Sequence, residues 1–270
     1  MELAEIAPAD CRDALAWLKA HPERKTRTGQ LSNTTMNKLY ICLAAILQQA
    51  VDDGKLARSP MAKIKAPRPD TKEREALAPD QLVDVLDALD SMPLDGRVMA
   101  VCFMACLGLR RGEACALADG DVRDGLVHVH NAVKERDGSI AEPKSAAGVR
   151  VLPMPPRLAA KVDEWRAVRA GSGWTGAPTL CCNTRGGVLR PQLLQRWWTG
   201  DAQHIGVRSS LGCDGMTLHQ LRHSNLSMMA RHMSPFDLQR YAGWSSIEPA
   251  KVYVHDDLDS VSAAVASAWK

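Results

Sequence analysis

Asp124-Gly125-Leu126-Val127-His128-Val129-His130 alternates apolar and polar side chains after a turn-forming pair, the pattern of a short half-buried strand. A second strand candidate, Val149-Arg150-Val151-Leu152, follows a turn near Ala146-Ala147-Gly148. Around these two runs the chain reads as helix. Upstream, Pro79 suits a first helical position, with Leu82, Val85, Leu86 and Leu89 behind it on one face. An apolar helix is expected over about 97–109. Downstream, helices are expected at about 156–170, 190–205, 217–232, 234–242 and 257–268. Nearer the start, Ala14, Leu15 and Leu18 recur at helical spacing within 8–21. Met36, Leu39, Tyr40, Leu43, Ile46, Leu47, Ala50 and Val51 then repeat at three and four, with Thr34 or Thr35 as cap and Gly54 as stop. The expected architecture is mainly α with a small β-sheet: a helical first domain over 1–68, a linker over 69–76, and a mixed α/β second domain over 77–270.

With 270 residues, 46% hydrophobic and 24% charged, the chain can bury a core in each of two domains. No stretch reaches the roughly 18 to 20 apolar residues of a membrane span, so no membrane partner is expected. Met1-Glu2-Leu3-Ala4-Glu5 lacks the basic-then-apolar pattern of a secretory leader. Cys11, Cys42, Cys102, Cys106, Cys115, Cys181, Cys182 and Cys213 form no C-x-x-C pair. Reduced core thiols in a cytoplasmic compartment, and no metal site, are therefore expected. The formal charge of +3, from 34 basic and 31 acidic residues, is too small to argue for a nucleic-acid partner. Its distribution says more. Lys55, Arg58, Lys63, Lys65 and Arg68 fall in one stretch with no acid among them, punctuated by Pro60 and Pro67. Such a connector suits a phosphate backbone and equally an ordinary solvated linker.

Four segments carry residues suited to a phosphate. In Gly108-Leu109-Arg110-Arg111-Gly112-Glu113, Arg110 follows an apolar helix and a glycine, so it is expected to project from the helix end. An arginine there also serves simply to meet the last carbonyls. Lys144, in Glu142-Pro143-Lys144-Ser145, precedes the second strand and sits where a hairpin lysine could deliver a proton; surface lysines on hairpins are also common. His219 and Arg222 lie three apart on a helix that Thr217 can cap, and so share a face. A guanidinium with its planar fork, beside an imidazole, suits an anion. His223 is read as structural. The fourth segment runs from Gly243-Trp244 to Tyr253. Of the three tyrosines, Tyr40 and Tyr241 fit apolar helical faces, while Tyr253 lies between Lys251 and His255 in a polar setting. The Trp244 indole is a packing anchor and also an N–H donor.

Arg, Lys, His-x-x-Arg, Trp and Tyr in this order resemble the tyrosine recombinase (phage integrase) family. Gly108 to Glu113 resembles that family's first-arginine box, His219 to His223 its second box, and Gly243-Trp244 with Tyr253 nine residues beyond Trp244 its final box. Lys144 resembles its hairpin lysine. The likeness covers about residues 75–270; the first domain fits the family's core-binding domain less specifically. Two departures stand out. The family most often has His where this chain has Trp244, so no proton transfer is expected there. The first domain is also short, as if N-terminally shortened, with no arm-binding domain before it.

The resemblance implies a site-specific recombinase or integrase acting through a 3′-phosphotyrosine on Tyr253. Arg110 and Arg222 would hold the phosphate, Trp244 would donate to it, Lys144 would protonate the leaving oxygen and His219 would handle protons. Glu113 would support the architecture, and neither cofactor nor metal would be needed. It also implies double-stranded DNA and a homotetramer on two duplexes as partners, with DNA-bending accessory proteins possible, in the cytoplasm. Leu258, Val261, Val265 and Trp269 form a stripe on an expected C-terminal helix, which would dock on a neighbouring subunit or on its own domain. A type IB-like topoisomerase or a non-catalytic DNA-binding module are the rival readings. The first is disfavoured because that class tends to place Lys where Arg222 stands.

Overall fold

The computed structural model describes residues 2–22, 29–70, 76–143, 145–201 and 203–253. The chain divides into two compact units, Met1–Glu73 and Arg74–Lys270. The expected C-terminal helix at 257–268 and its stripe lie outside the described residues.

The first unit is built on α1 (Pro8–Ala20) and α2 (Asn33–Asp52), which bury Cys11, Leu15, Met36 and Leu47 between them. The cap of α2 is Ser32, two or three residues before the expected threonines. Its hydroxyl accepts from the Thr35 N–H at 3.2 Å, whereas the Thr34 hydroxyl accepts from the Asp70 N–H at 3.1 Å. The basic stretch after α2 also differs from a plain connector. Met61 is buried, and Leu56 and Ile64 pack on the same core. Tyr40 donates its hydroxyl to the Ile64 carbonyl at 2.6 Å, and Asn37 donates to the Pro67 carbonyl at 2.8 Å. Apolar anchors spaced between the cations fold this stretch onto the helices and leave Lys55, Arg58, Lys63, Lys65 and Arg68 exposed.

The second unit is organised around α4 (Gly96–Leu107), the most apolar run of the chain. Asp95 caps α4 by accepting from the Arg97 and Val98 N–H groups. Its side chains are buried nearly all round because α3 (Pro79–Asp90), α5 (Arg111–Ala116), α6 (Pro156–Gly171) and α9 (Leu218–Met229) pack against it. Strands β1 (Val122–Arg123), β2 (Leu126–Val129) and β5 (Arg150–Pro153) form an antiparallel sheet in the order β1-β2-β5, with Val127 opposite Leu152. A separate pair, β3 (Ala132–Val133) and β4 (Ile140–Ala141), extends from it as a hairpin. The helix expected at 190–205 is shorter: α7 (Pro191–Thr199) stops where Gly200 bridges Ile205, and α8 (Val207–Ser210) follows as one turn. Two further helices, α10 (Pro235–Ala242) and α11 (Glu248–Lys251), lead to Tyr253. Trp165 and Trp198 fill the core and donate their indole N–H groups to the Leu180 and Met216 carbonyls. All eight cysteines are free thiols. Burial pushes Cys102 and Cys115 up to about 12, so these are inert core side chains.

Candidate active site

Two glycines set the geometry. Gly108 ends α4 with φ +61°, a left-handed conformation that L side chains rarely adopt. The chain reverses there, Leu109 is buried, and Arg110 becomes the N-cap of α5. Arg110 thus opens the next helix, where the sequence had it projecting from the end of the previous one. Its backbone N–H donates to Glu113 Oε2 at 2.8 Å and its Nη1 to Glu113 Oε1 at 2.8 Å. Gly243 ends α10 in the same way, with φ +68°.

The end of α10 gathers three arginines on three consecutive carbonyls. Arg150 Nε donates to Tyr241 O at 2.9 Å, Arg222 Nη2 to Ala242 O at 2.7 Å, and Arg110 Nη2 to Gly243 O at 3.1 Å. The C-terminus of a helix carries partial negative charge, which suits three cations. Arg222 also donates to the Gly108 carbonyl, so both glycine corners hold it. Behind them Arg150 forks onto Glu113, with Nη2 at 2.9 Å from Oε2 and Nη1 at 3.2 Å from Oε1. Burial alone would raise the Glu113 carboxyl. The hydrogen bond and charge of Arg150, then the charge of Arg110, outweigh burial and hold it at about 2. Burial, followed by the charge of Arg110, pulls Arg222 down to about 10, which leaves it charged at neutral pH.

Arg110, His219, Arg222, Trp244 and Tyr253 line one cleft of about 240 Å³. It adjoins a larger groove of about 770 Å³ to which Arg111, Ser145 and Thr217 also contribute. Arg110 keeps 42% of its side chain exposed, while Arg222 is 3% exposed. The Trp244 ring stacks on Tyr253 with centroids 5.5 Å apart. Lys144 lies outside the described residues; its neighbours Pro143 and Ser145 border the larger groove. The five basic residues of 55–68 belong to the other unit.

The sequence reading missed two residues. His223, read as structural, places Nδ1 2.7 Å from the Tyr253 hydroxyl. Positions 219, 222 and 223 follow the i, i+3, i+4 rule, so the shared face was available from spacing. Arg150 was absorbed into a strand candidate. Exposed Val149 and Val151 flank it, and an arginine in the inward register beside buried Leu152 needs a buried acid. The other two tyrosines are occupied elsewhere: Tyr40 as above, and Tyr241 by donating to Asn225 Oδ1 at 3.1 Å.

The family described as "Phage integrase family" matches residues 75–259. Tyrosine recombinase XerC of Xanthomonas axonopodis pv. citri is 25% identical over 253 residues, 92% of this chain and 75% of that protein. The putative prophage phiRv2 integrase of Mycobacterium tuberculosis is 26% identical over 94% of this chain, which spans 66% of that relative. Among solved structures, the Tn1549 transposon integrase in complex with a circular intermediate DNA superposes with a TM-score of 0.74 at 20% identity, covering 97% of this chain and 85% of that one. A lambda integrase dimer bound to a COC′ core site gives 0.64 at 17% identity, covering 95% and 82%.

Proposed function

The chain belongs to the phage integrase family of tyrosine recombinases, DNA strand-transfer enzymes, and from that premise we propose that it cuts and rejoins DNA at specific sites through a 3′-phosphotyrosine on Tyr253. The observation that carries the assignment of residues is the single cleft shared by Arg110, His219, Arg222, Trp244 and Tyr253, which come from three distant segments of the chain. Tyr253 attacks the scissile phosphorus and frees a 5′-hydroxyl. Arg110 and Arg222 hold the non-bridging oxygens; a guanidinium has five N–H donors, so two carbonyls do not exhaust it. Trp244 packs on the nucleophile and offers its indole N–H to the phosphate. His219 shares in proton handling, and Lys144 protonates the departing 5′-oxygen. Glu113 fixes Arg110 and moves no proton.

The ligand is double-stranded DNA, and the exposed Lys55, Arg58, Lys63, Lys65 and Arg68 contact its backbone. The assembly is a homotetramer on two duplexes. Lambda integrase has been solved as a dimer on a core site and as a tetramer bound to a Holliday junction, which supports this reading. The C-terminal stripe from Leu258 to Trp269 docks on a neighbouring subunit. The protein works in the cytoplasm; among the described residues no helix is long and apolar enough to cross a membrane.

A nicked duplex that loses its 5′ fragment after cleavage traps the covalent state. Wild type should give a denaturant-stable protein–DNA band, with or without EDTA. Tyr253→Phe should bind the same DNA and give none. A band persisting in that variant would remove Tyr253 from its role.

A further inference from the structure

We propose that His223 is the base that takes the phenolic proton from Tyr253 as it attacks the phosphate. The inference rests on Tyr253 being the nucleophile. An ordinary phenol, with a pKa near 10, is ionised in about one molecule in a thousand at pH 7. Burial pushes Tyr253 up, and the Arg222 charge offsets that only in part. The proton must therefore leave during the attack, and an acceptor in contact with the oxygen must receive it. His223 Nδ1 stands 2.7 Å from that oxygen, with the two rings edge-on at 5.0 Å. Trp244 closes the phenol from another side at 5.5 Å. Arg110, His219, Arg222, His223 and Tyr253 are the titratable residues lining the cleft; none of its described lining residues is a carboxylate. On neighbouring α11, Lys251 and Glu248 pair with each other at 2.7 Å. Among the described lining residues the bases are two imidazoles, and His223 is in hydrogen-bond contact with the nucleophile.

The step balances. The O–H electron pair of Tyr253 becomes the new O–P bond, the proton passes to Nδ1, and the P–O5′ bond breaks. The departing oxygen takes its proton from the acid assigned to Lys144. The negative phosphodiester offsets the imidazolium that forms. On rejoining, the incoming 5′-hydroxyl returns its proton to the amine assigned to Lys144 and attacks the phosphorus, the P–O bond to Tyr253 breaks, and the phenol recovers its proton from the same Nδ1.

The test measures single-turnover adduct formation on the nicked duplex across pH 5.5 to 9, in about half-unit steps that bracket the imidazole range. It uses wild type, His223→Ala and His223→Asn. Asn can keep a hydrogen bond to the phenol but cannot accept a proton at these pH values. In wild type the rate should fall as acid protonates the base. Both variants should be slower by about 10²-fold or more and lose that acid limb, DNA affinity should be unchanged, and added imidazole should raise the His223→Ala rate. A wild-type rate in His223→Asn, or an acid limb retained in either variant, overturns the proposal by reducing His223 to a prop. An adduct in Tyr253→Phe instead fells the nucleophile assignment, and this inference with it.

Discussion

Glu113 stays ionised inside the protein because Arg150 and Arg110 surround it. Its carboxyl is held at about 2 in the folded state, against an ordinary value of 4.5. A carboxyl depressed in this way contributes stability above pH 4.5 and loses it as pH falls from about 4.5 toward about 2. Replacing Glu113 by Gln leaves buried Arg150 without its counter-charge and should cost about 3 kcal/mol in denaturant unfolding at neutral pH. Repeated between pH 5 and 2 (chosen to span the ordinary carboxylate range), the same titration should show a shallower acid loss in Glu113→Gln than in wild type. The residues that share the cleft were legible at this scale because Arg110, His219, Arg222, Trp244 and Tyr253 each sit in a short local pattern. Arg150 and His223 were not, for different reasons. The partners of Arg150 lie 37 and 91 residues away, and no local spacing announces a buried ion pair. The partner of His223 is 30 residues downstream, across two helices.

Among the elements, α10 has the most consequence for its length. Its last turn fixes where three guanidiniums sit, and its cap, Gly243, admits no side chain there. A Cβ would stand 2.9 Å from Arg150 Nη1 and 3.1 Å from the Ala147 carbonyl, at a φ of +68°. Gly243→Ala should therefore lower stability by about 1 to 2 kcal/mol and slow adduct formation, while DNA affinity changes little. Thermal unfolding and the nicked-duplex assay, run side by side, check this; an unaltered cleavage rate would mean that α10 only packs. Sequence periodicity revealed α1, α2, α3, α4, α6, α9 and α10 because each carries an apolar stripe or a proline start. It did not reveal α5, which is six residues long and is capped by the arginine read as the end of α4, Arg110. Two-residue strands such as β3 and β4 are too short to show alternation.

For the whole molecule, charge is informative only once it is placed. A net +3 says little, but the fold turns Leu56, Met61 and Ile64 inward and leaves five cations of the same stretch on the surface. DNA binding should weaken steeply between about 50 and 200 mM salt. Lys63→Ala and Arg68→Ala should each lessen the log–log slope by about 1, as fluorescence anisotropy on duplex DNA would register. A slope untouched by both changes would return the stretch to an ordinary solvated segment. The sequence reading put its domain boundary at the proline-rich stretch and the switch in periodicity, whereas the packing of that stretch depends on contacts with α2 that no local pattern encodes. The gathering of Arg110, Arg150 and Arg222 at one helix end has a last consequence. Among the described residues, these three positive groups pair with one carboxylate, Glu113, so Arg110 and Arg150 still repel Arg222. An arriving phosphodiester would relieve that repulsion, and the share of the attraction which grows as the phosphate gathers charge would lower the barrier to cutting.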